Sequence, residues 1–167
     1  MTESDAPSGD SKATKRSGDF KAKLILLAAV AVVGGVFYVN RLRDPAMPEG
    51  FITDLEAARE KARDEIRPLL ILFWSPKVDK TATRHLLGEK GLPHKSVVEA
   101  IEKGKYVCVG VKLGRQLDSD PARKYKITRV PTLVVLSSMG IELARLEGGV
   151  GHGQIEPMLA EALKKGL

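Results

Sequence analysis

A single cysteine, Cys108, occurs in 167 residues. That excludes an internal disulfide, a cysteine-based zinc site and any intramolecular dithiol chemistry. Neither sign of charge dominates, with 27 basic and 21 acidic residues. The net charge is +6, and seven basic and four acidic residues of that balance lie in residues 1–43. Residues 44–167 hold the other twenty basic and seventeen acidic residues, a balance that gives no nucleic-acid footprint from charge alone, so no nucleic-acid partner is expected. The three histidines, His85, His94 and His152, have no i,i+3 or i,i+4 partner, so spacing suggests no metal pair. Gly148, Gly149, Gly151 and Gly153 superficially resemble a phosphate loop, but no Lys-Ser or Lys-Thr follows them. We read them as a flexible joint. No nucleophile-elbow pattern is present. No metal and no cofactor are therefore expected.

Hydrophobic residues make up 43% of the chain and charged residues 29%, enough for one domain with a sizeable core. Residues 1–20 carry almost nothing apolar before Phe20 and read as a disordered tail. Residues 24–39, LILLAAVAVVGGVFYV, contain no charge. At 1.5 Å per residue they span ~24 Å, slightly short of a hydrocarbon core of ~30 Å. Lys21 and Lys23 can snorkel, and Tyr38 and Asn40 suit the interface. We read residues 21–40 as a single transmembrane anchor in contact with membrane lipid through residues 24–39. Gly34 and Gly35 offer a weak close-packing face there. The alternative is a cleaved signal peptide and a secreted or periplasmic domain, but no small-x-small cleavage pattern follows the run. Five basic residues precede the span and Arg41 and Arg43 follow it. That asymmetry places the N-terminus in the cytoplasm and the rest outside it.

Residues 41–50 read as a linker, with Pro45, Pro48 and Gly50. Beyond it the pattern is regular. Thr53 and Glu56 have capping-box spacing, and Phe51, Leu55, Ala58, Ala62 and Ile66 share one helical face over 54–66. Residues 69–74 are a continuous apolar run, as expected of a strand covered on both faces. Helices follow at 79–87, with Asp79 as N-cap, and at 97–103, with Ser96 as cap. A strand at 106–113, a short helix at 120–125, strands at 132–136 and 141–147, and a helix at 154–165 complete the chain. In that last helix Pro157 is acceptable only near the first turn. Helices between strands imply parallel neighbours, and the last two strands a hairpin. The expectation is an α/β fold, a four-stranded mixed sheet flanked by helices and preceded by a transmembrane helix.

Residues 51–167 resemble a thioredoxin-like domain. The matching stretches are Leu70, Ile71, Leu72, Phe73, Trp74 and Ser75, then Arg129, Val130, Pro131, Thr132 and Leu133. The resemblance implies a cis bond before Pro131, with the backbone of Val130 facing substrate. It also implies a Cys-x-x-Cys pair after the strand, but those positions fall on Val78 and Thr81. The family's buried acid falls on Leu72. Thiol–disulfide exchange needs an attacking thiolate, so no catalytic residue is assigned. Cys108 lies within a strand and reads as a small core hydrophobe.

The sequence thus points to a membrane-anchored, redox-inactive thioredoxin-like domain that serves as a protein or peptide interaction module. By resemblance Trp74, Val78, Thr81, Val130 and Pro131 would line its surface for an extended peptide or partner protein. Two alternatives remain: an oxidoreductase-related protein that uses Cys108 or a partner's thiol, and a structural subunit of a membrane complex.

Overall fold

Phe51 and Ile52 already form a strand, β1 (Phe51–Ile52), in the computed structural model, which describes residues 46–166 and, before them, only 25, 30–35 and 38. The expected tail, most of the expected anchor and residues 41–45 lie outside the described residues. Among the described residues no helix is long and apolar enough to cross a membrane. The chain divides into two units, residues 1–43 and 44–167, and the second is described here.

After β1 come α1 (Leu55–Asp64), β2 (Leu69–Trp74), α2 (Lys80–Leu87), α3 (Lys95–Lys103) and β3 (Val107–Lys112). They are followed by α4 (Asp120–Lys124), β4 (Thr132–Leu136), β5 (Glu142–Glu147) and α5 (His152–Gly166). The sheet order is β1-β3-β2-β4-β5. β1 and β2 run parallel to β3, while β4 is antiparallel to both β2 and β5. The sheet has five strands, not the four expected. Phe51 pairs with Cys108 and Ile52 with Val109, but a two-residue strand between a turn and a helix cap is too short to leave a period-two signature.

Residues of β2 alternate between two cores. Leu70, Leu72 and Trp74 pack with Leu86, Val97, Ile155 and Leu159, under α2, α3 and α5. Leu69, Ile71 and Phe73 pack with Ala58, Ala62, Ala122 and Tyr125, under α1 and α4. Both faces of the strand are therefore covered, which is why its sequence is continuously apolar. Each such leucine contributes about 2 kcal/mol by burial. Tyr106 Oη donates to the Leu159 carbonyl oxygen at 2.7 Å, which satisfies a buried hydroxyl and ties the start of β3 to α5.

The first helix departs from expectation at both ends. Asp54, not Thr53, is the N-cap; its Oδ1 accepts from Glu56 N at 2.9 Å and Ala57 N at 3.1 Å. Phe51 belongs to β1, and Ile66 lies beyond the helix, 82% exposed with φ +50°. Arg67 N donates to Ala62 O at 2.8 Å and Ile66 N to Arg63 O at 3.2 Å. This is a Schellman closure with isoleucine in the left-handed position normally given to glycine. Lys105 ends α3 and Lys126 ends α4 by the same bonds, each with φ +51°. His94, not Ser96, is the N-cap of α3; its Nδ1 accepts from Ser96 N at 3.3 Å.

The last helix begins at His152, two residues before the expected start, so Pro157 is its sixth residue. Pro157 has no N–H to give the Gly153 carbonyl. Both residues are exposed, which leaves that carbonyl accessible to water. Gly148 has φ +89°, and a Cβ on Gly149 would lie 3.0 Å from Ala82 Cα. Close packing of this loop on α2 is what requires glycine there.

Candidate functional site

The register brings the expected site residues to one end of the sheet. Trp74 ends β2 opposite Lys112, and Phe73 pairs with Thr132, the residue after Pro131. The Val130–Pro131 bond is cis, as the resemblance implied. Gly148 N donates to Pro131 O at 2.7 Å and Thr132 Oγ1 to Arg129 O at 2.7 Å. These bonds hold the loop against the end of β5.

The turn after β2 is built from buried polar contacts beneath an exposed crest. Ser75 is fully buried, its Oγ donates to Gly114 O at 3.4 Å, and Thr83 Oγ1 donates to Ser75 O at 3.5 Å. Val78 N donates to Ser75 O at 3.4 Å. Asp79 caps α2 as expected, its Oδ1 accepting from Ala82 N at 2.8 Å. The crest is Lys77, Val78 and Thr81, all exposed.

The other expected site residues lie below the surface. Val130 is 1% exposed and packs in the cluster of Phe73, Leu113, Tyr125 and Ile127. Its side chain and backbone therefore do not present the outward edge that the resemblance implied. Pro131 is buried as well. The Trp74 ring is buried, with Lys112 Nζ 5.3 Å from its centroid. The indole Nε1 is buried without a hydrogen-bond partner. Sequence reasoning missed Lys112 here, because only strand register places it over the ring.

The chemistry available at this end is limited. Leu72, at the acid's position, is fully buried among Leu70, Leu133 and Leu86. Cys108 pairs with Leu70 and lies four residues along β3 from Lys112, ~13 Å away. Burial pushes its thiol up to about 12, with Arg67 partly opposing the rise. A thiol so protonated is neither nucleophile nor ligand near neutral pH. Histidine contacts appear elsewhere. The His94 and His152 rings stack at 3.8 Å with 12° between planes, a neighbourhood that sequence spacing does not reveal. His152 Nδ1 lies 3.1 Å from Lys90 O. Among the described residues no group of three or more His, Cys, Asp or Glu could hold a metal.

No family model and no curated protein matches the sequence. Solved structures do resemble it in fold. A DsbH oxidoreductase superposes with TM-score 0.55 at 18% identity, covering 74% of this chain and 92% of that one. A thioredoxin from Thermus thermophilus gives TM-score 0.55 at 20% identity, covering 68% and 87%. The oxidised C-terminal domain of DsbD from Neisseria meningitidis gives 0.54 at 16% identity, covering 67% and 98%. The chain has a thioredoxin-like fold.

Proposed function

We infer that this chain is a thioredoxin-like interaction module, without redox activity of its own, held at a membrane by residues 24–39. One observation carries the first part. The turn that would bear the reactive thiols exposes Val78 and Thr81, while the single cysteine is 6% exposed within β3. Without a thiolate at the turn, no mixed disulfide can form there. What remains is a shallow crest of Lys77, Val78 and Thr81 over a rigid strand end. Such a surface suits contact with an extended or unfolded polypeptide, the apolar valine giving area and the lysine a polar rim.

Thiol–disulfide exchange is the second reading, favoured by the description of the similar DsbH structure as an oxidoreductase. It requires Cys108 to leave its core site or a partner to bring the thiol. Insulin reduction with dithiothreitol separates the two readings. The expected result is the uncatalysed rate, with binding to reduced, carboxymethylated lactalbumin that weakens in Val78→Asp. Turnover that disappears in Cys108→Ala would overturn the interaction reading. The anchor is tested separately by flotation with vesicles.

A further inference from the structure

β5 closes one edge of the sheet, and among the described residues no strand pairs with its outer side. The opposite edge is β1, two residues long, too short to template another chain. β5 has six residues, and the direction of its backbone groups follows from the ladder. Thr132 stands opposite Glu147, Leu133 opposite Leu146 and Val134 opposite Arg145. The same register continued sets Gly148 opposite Pro131, and Gly148 N donates to Pro131 O at 2.7 Å. Opposed residues of an antiparallel pair alternate between those that exchange hydrogen bonds and those that do not. Gly148 and Leu146 therefore turn their N–H and C=O groups towards β4. Arg145 and Glu147 turn theirs outward, to the open edge. Little guards that stretch. The register shift of the ladder falls at Val135 and Leu136, beside Glu142. From residue 144 to 148 the strand is regular and holds no proline and no lysine.

The side chains of this stretch are sorted by face. Ala144 and Leu146 lean on the core of Leu133, Val135 and Leu159 and are half-buried. Arg145 and Glu147 lie on the other face. Arg145 is fixed there: its Nε and Nη2 donate to Glu142 at 2.9 and 2.8 Å, and Nη2 also donates to Tyr125 O at 2.8 Å. Its Nη1 is 3.9 Å from Glu147 Oε1. One cation and one anion thus stand two residues apart, each beside outward backbone groups. Such a strand is complementary to an antiparallel copy of itself in one register. A two-fold axis at Arg145 sets two arginines opposite each other, and one at Glu147 sets two glutamates opposite. An axis at Leu146 sets Arg145 opposite the partner's Glu147, twice by symmetry.

We propose that β5 pairs antiparallel with β5 of a second copy of this chain, about a two-fold axis at Leu146, joining two five-stranded sheets into one. Arg145 and the partner's Glu147 exchange backbone hydrogen bonds in both directions, and the symmetric pair does the same. The four side chains form a checkerboard, each charge facing its opposite along the strand and across the axis. Leu146 meets the partner's Leu146 as a non-hydrogen-bonded pair, with Cα atoms ~4.5 Å apart. Ala144 stands opposite the partner's Gly148, and neither is bulky enough to part the strands. Only the two β1 edges remain outside, so assembly closes at two copies. A single strand pair is smaller than the interfaces of durable complexes, ~1,200 Å² and more, so the dimer depends on concentration. Lys77, Val78 and Thr81 are not among the paired residues, and the polypeptide reading stands or falls separately.

The test uses the full chain in detergent, in a Cys108→Ala background so that any disulfide is an introduced one. Leu146→Cys should form a disulfide-linked dimer on oxidation with copper phenanthroline, since Cα atoms ~4.5 Å apart are within disulfide reach. Ala144→Cys is the control. It lies on the same face but four residues out of register with its copy, ~14 Å away, and should cross-link several-fold more slowly. Without a cysteine in β5, the mass from sedimentation should rise from one copy to two with concentration. Glu147→Lys sets a cation opposite Arg145. It should move that rise to several-fold higher concentration and slow cross-linking at residue 146 to the control rate, with an unchanged thermal midpoint. Glu147→Gln, which adds no charge, should act in the same direction and less. Equal cross-linking at 144 and 146 overturns the proposal. A dimer that Glu147→Lys and Glu147→Gln leave untouched is made elsewhere, as through residues 24–39, and also overturns it. So does a chain that stays single at every concentration.

Discussion

Arg67 binds the carbonyl oxygen of Lys105 through Nε, and through a second guanidinium nitrogen the carbonyl of Tyr106 at 3.2 Å. One side chain thus joins the closure of α1 to the closure of α3, two turns that meet 38 residues apart in sequence. The planar fork reaches two successive carbonyls through two separate nitrogens at fixed spacing, where an ammonium offers a single nitrogen on a flexible stem. Arg67→Met should lower the unfolding free energy by about 1–2 kcal/mol, measured by urea titration. Arg67→Lys should recover little of it. Full recovery by lysine would show that charge alone holds the two turns together.

Ile66 occupies the left-handed region, where a β-branched residue costs about 1–2 kcal/mol. Glycine relieves that cost but adds about 0.5–1 kcal/mol of unfolded-chain entropy. Since Ile66 is 82% exposed, little burial is lost in exchange. Ile66→Gly should therefore raise stability by about 0.5–1 kcal/mol, a few degrees in thermal midpoint. A lower urea midpoint in Ile66→Gly would show that the left-handed position costs isoleucine less than glycine costs in unfolded-chain entropy.

Cys108 and Tyr106 set the response to alkali. Burial pushes both groups up to about 12, from ordinary values near 9 and 10. A group whose folded pKa lies above its unfolded value holds its proton more tightly in the folded state. Its stabilisation is complete below the unfolded pKa and is lost as pH rises towards the folded one. The domain should keep its denaturant midpoint up to about pH 9 and lose stability steadily from there to about pH 12. Cys108→Ala should flatten the lower part of that slope, and Tyr106→Phe the upper part. A midpoint independent of pH over this window in the unsubstituted chain would contradict the burial of both groups.

The parts of the fold legible in the sequence are those that depend on burial over five or more residues. Residues 69–74 and 132–136 are apolar throughout because both sheet faces are covered, and those strands fall at Leu69–Trp74 and Thr132–Leu136. Asp79 was legible as a cap because an aspartate before a helix satisfies its first N–H groups locally. The end of α1 was not legible, because Ile66 holds a left-handed position that composition assigns to glycine, whereas α2 and α3 end at Leu87 and Lys103, as expected. β1 escaped notice because its two residues gain their hydrogen bonds only from β3, more than fifty residues on. At the site, the resemblance carried the cis bond before Pro131, but not the burial of Val130. That burial depends on Leu113 and Tyr125 arriving from other elements.

The burial of Val130 decides which substitution can probe the proposed polypeptide surface. Val130 is 1% exposed among Phe73, Leu113 and Ile127. Val130→Asp would bury a carboxylate with no partner, at a cost of several kcal/mol, a large share of the stability of a domain this size. Loss of the folded state by circular dichroism is expected, so failure of that variant to bind says nothing about a surface. Val78 is different. At 43% exposure on the crest after β2, an aspartate there remains solvated and should shift the unfolding free energy by less than about 0.5 kcal/mol. It should nonetheless weaken binding to reduced, carboxymethylated lactalbumin, because it replaces apolar contact area by a charge that must be desolvated. Thr81→Lys, one turn away, should act in the same direction. Unchanged binding in both variants, each with an unaltered thermal midpoint, would place the polypeptide contact away from the crest.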